Sequence, residues 1–391
     1  MTPFRMSALR LCRPEIRSLP AYNAGISERA ARAVYGLPSF TKLASNENPF
    51  GASPMVAEAL RSSLGEVHRY PDTNCTVLHE HIQRLTGIDG TRVVFGNGSA
   101  DIIDMLCKVL LSPGDRVVTL SPSFGLHEIF PLMMGATVDK VAVNAAFEYD
   151  LPAWREALSR PAKLVMFSTP SNPVGCALSG RQLQELCDAS PPDAVLVVDE
   201  AYYEYAVGPH YADSLKVLSA QPRPWIVLRT LSKAYGLAGL RLGYGLACDP
   251  DLVSLLEKVR IAFNVNSQAQ IAAIAALRDT DHLNETVSAT VVERQRLIER
   301  LKELESTRAC GIRVAPSLGN FVFVDTGRPS RDVASDLMRN GVIVKPWLES
   351  GFETFIRVTV GRSSESDHFI DALAKVLSKS RSATGTRSRP C

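Results

Sequence analysis

Residues Trp225–Gly245 read WIVLRTLSKAYGLAGLRLGYG. An apolar run through Leu228 delivers a Ser232-Lys233 pair into a glycine-punctuated segment, with Arg241 eight positions beyond the lysine. A strand this apolar is buried on both faces, as in a sheet covered by helices on either side. A lysine just past such a strand is ordinarily a solvated loop residue. What it does here therefore depends on what the neighbouring strand ends bring to it.

The same pattern recurs upstream in RVVFGNG, DRVVTLSPS, AKLVMFSTP and AVLVVDEAY, separated by the helical patterns ADIIDMLCKVLL and RQLQELCDA. Strands alternating with helices at this spacing predict an α/β fold whose large domain, residues 41–270, is a mostly parallel sheet flanked by helices. Beyond Asp249 come the helical stretches DLVSLLEKVRIAFNV, AQIAAIAALRDT and VSATVVERQRLIERLKEL, then short strands in GIRVAPSLGNFVFVDT, GVIVKPW and TFIRVTVG. This later block, residues 271–378, reads as a smaller α+β domain closed by SDHFIDALAKVL. Residues 1–40 are proline-interrupted and suit an arm lying across another part of the fold. Residues 379–391, small, polar and basic, read as a disordered tail.

The 391 residues are 46% hydrophobic and 21% charged, enough to bury a sizeable core. A formal net charge of +2, with both signs mixed along the chain, argues against nucleic acid or an anionic membrane surface as the main partner. A small molecule is the expected ligand. The eight cysteines are scattered without a C-x-x-C pair, so neither a zinc site nor a disulfide framework is expected. His79 and His81 do not share a helix face and the other histidines are dispersed, so no metal site is expected. Reduced thiols, the lack of an apolar leader and the lack of a membrane-length apolar run point to a cytoplasmic protein.

In open α/β sheets, ligands sit beyond the carboxyl ends of the strands. Four such ends carry chemistry. GNGSAD (96–101) sets Ser99, Ala100 and Asp101 at a helix start, where free N–H groups and the helix dipole favour a phosphate, although Ser99 could equally be a cap. The glycine spacing matches neither the dinucleotide nor the Walker pattern. VVDEAYYEY (197–205) ends a buried strand with Asp199, a charge that needs a cationic partner, and adds Tyr202. STPSNPVG (168–175) offers Asn172, which could also cap its own turn. TLSKAYGLAGLR (230–241) offers Thr230, Ser232, Lys233 and Arg241. Pyridoxal phosphate uses all of these together: its aldehyde needs an amine, its ring nitrogen a carboxylate, its phosphate a helix terminus and an arginine. Phe124, in SPSFGLHE, would then cover one face of the ring.

With SNENP, GNGS, NPVG, VVDEAYYEY, TLSKAYGLAGLRLGY and RVTVG in one chain, the sequence resembles the fold-type I pyridoxal-phosphate aminotransferases from about Pro20 to Ser378. SNENPFG, RYPD and FIRVTVG make it most similar to the histidinol-phosphate aminotransferase branch. The resemblance implies an aspartate aminotransferase-like fold and a homodimer that moves an amino group from a small-molecule donor to a 2-oxo acid. It implies that Lys233 bonds the cofactor and shuttles a proton at the substrate's Cα, and that Asp199 holds the ring nitrogen. Asn172 and Tyr202 would meet the ring oxygen. Backbone groups at Ala100 and Asp101, with Thr230, Ser232 and Arg241, would hold the phosphate, and Tyr70 would reach it from the other subunit. Arg357 would take the substrate's anionic group, with Tyr22 from the arm covering it. Phe124 stands where that branch usually has tyrosine, and Lys345 where it usually has arginine, so the resemblance specifies the reaction more firmly than the substrate. Aromatic donors, a related decarboxylation and a non-catalytic ligand-binding role are the rival readings.

Overall fold

The computed structural model describes residues 8–208, 211–308 and 311–383. In chain order its strands are β1 (Thr41–Leu43), β2 (Val93–Gly96), β3 (Arg116–Ser121), β4 (Thr137–Ala142), β5 (Leu164–Ser168), β6 (Val195–Asp199), β7 (Trp225–Thr230), β8 (Gly243–Ala247), β9 (Arg313–Val314), β10 (Phe321–Asp325), β11 (Val342–Pro346) and β12 (Phe355–Thr359). They form a seven-stranded sheet ordered β2-β8-β7-β6-β5-β3-β4 and a five-stranded sheet ordered β1-β11-β12-β10-β9. In the large sheet β8 runs antiparallel to both its neighbours and the remaining pairings are parallel. The carboxyl ends of β2, β3, β5, β6 and β7 therefore open on one side.

Alternation of side chains along each strand explains why the sheet needs helices on both faces. Leu196 and Val198 of β6, Phe167 of β5 and Val227 of β7 enter one core with Trp154, Leu183 and Leu186 from flanking helices. Val195, Val197, Met166 and Ile226 enter the other, against Ile102, Ile103 and Leu106 of the helix Ser99–Leu110 and Leu252 and Leu256 of Pro250–Glu257. Each such aliphatic side chain stabilises the fold by about 1.5–3 kcal/mol relative to an exposed one. The small sheet buries Val322, Val344, Ile356 and Val358 against Leu297, Leu301, Phe369 and Leu373.

The division expected from sequence differs from the structure at its edges. β1 pairs in parallel with β11, so the chain enters the small sheet before it enters the large one. Ala269, Ala272, Ala273 and Ala276 line one stripe of the helix Ser267–Arg278 and lie in the core of the large sheet, the last three of them past residue 270. Alanines at this helical spacing let neighbouring helices approach closely, whereas composition alone leaves their allegiance open. The helix expected over DLVSLLEKVRIAFNV stops at Glu257, and Phe263 has a left-handed backbone with φ 57°. The last helix runs from Ser363 to Ala383, so residues 379–383 of the expected tail are helical and 384–391 lie outside the described residues.

One ion pair fixes the two central strand ends that matter most. Glu200, directly after β6, is fully buried, and its carboxylate meets the Arg229 guanidinium of β7 at 2.8 Å. Tyr211 Oη donates to the other carboxylate oxygen at 3.0 Å, and the Tyr203 ring lies 3.7 Å from the guanidinium carbon. Asp199 and Thr230 are the next residues along their strands. Breaking a buried pair leaves an uncompensated charge, so Arg229→Met should destabilise the protein by about 3–5 kcal/mol. Urea unfolding followed by circular dichroism measures this, and an unchanged midpoint would contradict it.

Candidate active site

The open side of the strand ends faces the small sheet across a cavity of about 710 Å³. Ser99, Ala100, Phe124, Asn172, Asp199, Tyr202, Thr230, Ser232, Lys233, Arg241, Tyr22, Lys345 and Arg357 all line it, gathered from both sheets and the N-terminal segment.

At one end is an anion cradle. The helix Ser99–Leu110 starts with no side-chain cap at Gly98, so its first N–H groups remain available, as at any uncapped helix start. Two glycines keep that terminus accessible. A Cβ on Gly98 would come within 2.5 Å of Arg241 Nη2, and one on Gly243 within 2.3 Å of Ser99 N. Arg241 has a left-handed backbone, φ 64°, and its Nη1 and Nη2 donate to Ala238 O and Asn97 O at 3.1 and 3.3 Å. The guanidinium is thereby held beside the helix start. Thr230 Oγ1 donates to Leu242 O at 3.2 Å and accepts from Ser232 N at 3.1 Å, which closes the turn leading to Lys233.

Lys233 Nζ donates to Ser45 O at 3.1 Å and lies 5.9 Å from the Tyr202 ring centre. Burial above all, then the Arg357 charge, pushes its pKa down to about 8, against the opposing pull of Glu47. An amine in that range holds far more of its nucleophilic neutral form near neutrality than an ordinary lysine does. Asp199 is 4% exposed, with Oδ2 3.1 Å from His127 Nε2 and Oδ1 accepting from Ala201 N at 3.0 Å. Tyr202 Oη accepts from Asn46 Nδ2 at 2.9 Å, and burial raises its pKa to about 12, so the phenol stays protonated.

The opposite wall is cationic. Arg357 of β12 is buried, its Nη1 donating to Asn172 Oδ1 at 2.7 Å and its Nη2 to Ala44 O at 2.6 Å. Its Nε has no partner among the described residues, and no carboxylate there lies within ion-pair distance of it. Lys345 is its directly paired neighbour on β11, where burial and the Arg357 charge push the ammonium down to about 8. Like charges in directly opposed cross-strand positions are unfavourable, and an anion between them removes the penalty. Lys345 Nζ also donates to Asn23 O, which ties the N-terminal segment over the cavity. Next to that contact, Tyr22 meets Phe124 edge-on at 6.1 Å.

Two expected residues are elsewhere. Asp101 does not line the cavity: its N–H bonds Gly98 O at 3.2 Å, and its carboxylate takes Asn97 N and Asn264 Nδ2, each at 2.8 Å, so it braces the helix start. Tyr70 is 81% exposed and stacks on Phe263 at 4.3 Å, outside this chain's cavity. Sequence reasoning also missed His127 and Asn46. His127 follows Phe124 by one helical step in SPSFGLHE, and a buried aspartate lacking an arginine partner was a signal to look for it. Asn46 lies in the SNENP motif, its left-handed backbone at φ 54°.

These residues fit pyridoxal phosphate: an uncapped helix start kept clear by glycines, an arginine beside it, a buried carboxylate, and an amine with a depressed pKa. Residues 38–373 match the family model described as aminotransferase class I and II. The chain belongs to that family. As an aminotransferase it depends on pyridoxal phosphate, the cofactor the resemblance implied. Among the aminotransferase's relatives, histidinol-phosphate aminotransferase 3 of Rhizobium meliloti is 44% identical over 94% of this chain and 98% of the relative. Histidinol-phosphate aminotransferase of Moorella thermoacetica is 37% identical over 94% and 93%. The structure of histidinol-phosphate aminotransferase from Sinorhizobium meliloti, in complex with pyridoxal-5'-phosphate, superposes with TM-score 0.84 at 28% identity over 94% of this chain and 97% of that one. Aspartate aminotransferase of Thermus thermophilus with maleate shares the fold, with TM-score 0.78 and 21% identity over 93% and 99%.

Two outcomes follow for the aminotransferase. A lysine with its pKa near 8 gains neutral amine as pH rises through 8, whereas one at 10.5 would not until far higher. The rate at which apoenzyme takes up pyridoxal phosphate, read from visible absorbance, should climb through pH 8 and level off; a climb continuing to 10.5 would contradict the site as described. Gly98→Ala forces Arg241 aside and should weaken cofactor affinity at least ~10-fold, about 1.4 kcal/mol, while far-ultraviolet circular dichroism stays unchanged. Equal affinity in wild type and variant would remove the cradle from the account.

Proposed function

We propose that this aminotransferase interconverts histidinol phosphate and 2-oxoglutarate with imidazole acetol phosphate and glutamate, as a step of histidine biosynthesis. The observation that carries the reading is the buried Arg357 with Lys345 opposed to it on the next strand. Each substrate of the pair brings a strongly anionic end, a phosphate monoester in one half and carboxylates in the other. A guanidinium fork suits both. The names of the relatives and their near-complete coverage of the chain support the same substrate.

Bound pyridoxal phosphate supplies a conjugated electron sink for charge developing at the substrate's Cα. The chain's residues do the rest. Ser99 and Ala100 N–H groups, Thr230, Ser232 and Arg241 would hold the phosphate; Asp199, held by His127, would offer its charge to the ring nitrogen. Tyr202 and Asn172 would meet the ring oxygen, and Phe124 would cover one ring face. Lys233 carries the cofactor between turnovers and takes and returns the proton at Cα, a role its lowered pKa suits. Arg357 and Lys345 orient the anionic end, with Tyr22 shielding the site from water.

The reading includes a homodimer in which Tyr70 reaches the partner's cofactor phosphate. Its support is that Tyr70, 81% exposed, stacks on Phe263, itself 40% exposed, an aromatic pair that a second copy would cover. It also includes a cytoplasmic location, with Cys75, Cys107 and Cys187 buried as free thiols, and the division into a cofactor-binding domain, a small domain and an arm.

The substrate is tested by half-reactions that follow conversion of the bound cofactor to its amine form. Histidinol phosphate and glutamate should both convert it; conversion by phenylalanine but not histidinol phosphate would overturn the substrate, and conversion by none would overturn the reaction. Arg357→Lys keeps the charge but loses the fork, so KM for glutamate should rise at least ~10-fold with the visible spectrum retained. An unchanged KM would reject the role of Arg357.

A further inference from the structure

Glu349 stands at the cavity wall without a role in the chemistry above, and its contacts are unlike those of any other carboxylate there. It follows β11 on the loop that continues from Lys345 through Trp347. Oε1 accepts from Ser121 Oγ at 2.8 Å and lies 3.4 Å from Lys140 Nζ. Oε2 accepts from Ser123 N and from Trp347 Nε1, each at 3.3 Å. Ser121 ends β3, and Ser123 precedes Phe124, so one carboxylate from the small sheet holds the loop of the large sheet that carries the ring-covering side chain.

The loop bearing Glu349 is itself rigidly seated. Trp347 N donates to Phe355 O at 2.9 Å, and Trp347 O accepts from Ser330 Oγ at 2.7 Å. Glu349 thus joins the loop after β11 to Ser121 and Ser123. Lys140 also contacts Glu128 at 3.2 Å, on the helix that follows Phe124, which braces the same loop from its far side. A carboxylate is acceptor-only when ionised, and this one faces a hydroxyl, an amide N–H, an indole N–H and an ammonium. Neither a shorter side chain nor a neutral one reproduces that set.

We propose that Glu349 is a positioning residue that couples the anion clamp of β11 and β12 to Phe124, so that seating the substrate's anionic end also sets the wall over the cofactor ring. This rests on the proposed site for its consequence in turnover, and on geometry alone for the coupling.

The coupling is tested on apoenzyme by hydrogen exchange of the Ser123 amide. Glu349→Ala should speed exchange there about tenfold or more, whereas Lys140→Met, which spares every hydrogen bond to Ser121 and Ser123, should change it less than ~3-fold. Equal exchange in wild type and Glu349→Ala would overturn the proposal. The same variant loaded with cofactor should show altered visible circular dichroism and a KM for glutamate raised about tenfold, partly restored in Glu349→Gln. Glutamate is the donor here so that an error about histidinol phosphate leaves the result intact. Should Glu349→Ala not fold, Ser121→Ala removes one donor from the other side: a raised KM and faster Ser123 exchange support the coupling, and wild-type values for both overturn it. In the double variant the two effects on KM should not add, and additive effects would also count against it.

Discussion

A carboxylate at the end of a strand buried on both faces constrains everything around it. Asp199 has left water, yet among the described residues its contacts are one imidazole and one backbone N–H, without an arginine or lysine in ion-pair range. Such a charge is expensive unless a cation completes its surroundings. The fold leaves the space beside it open, places an amine with a depressed pKa across that space, and packs the Glu200–Arg229 pair behind it so that the two central strand ends hold their register. A protonated ring nitrogen is a cation that such a carboxylate suits.

The second constraint runs between the sheets. The large sheet supplies the cradle, carboxylate and amine; the small sheet supplies Arg357 and Lys345, opposed like charges that favour an anion between them. Asn46 joins the two layers, its N–H on Thr359 Oγ1 at 2.9 Å and its carbonyl on Asn320 Nδ2 at 3.0 Å, while its side chain holds Tyr202. The site is thus built at the seam between the two layers. Residues at the seam, Glu349 among them, govern the cavity's shape without touching the reacting atoms.

Much of this was legible in the sequence because parallel strands advertise themselves as apolar runs and because their polar ends must share one side of the sheet. Lys233, Asp199, Ser99 and Arg241 were found in that way, each within a few residues of its strand. The residues missed are joined across long separations: His127 to Asp199 over 72 positions, Asn46 to Tyr202 over 156, Ser121 to Glu349 over 228. No local period encodes such contacts. The bracing of the helix start by the Asp101 carboxylate was not legible either, because its side-chain partner Asn264 lies 163 positions away. The packing of the alanine stripe of Ser267–Arg278 was hard to read for a similar reason, since small residues mark close packing without naming the partner.

The central claim is that the strand ends converge on one cofactor bound through Lys233. Borohydride reduction of the holoenzyme followed by peptide mass spectrometry tests it most directly, because reduction makes the lysine–cofactor bond permanent. The account predicts the pyridoxyl phosphate mass on the peptide bearing Lys233 and on no other lysine. The label on a different lysine, or no label on protein with the visible band of bound cofactor, would contradict it.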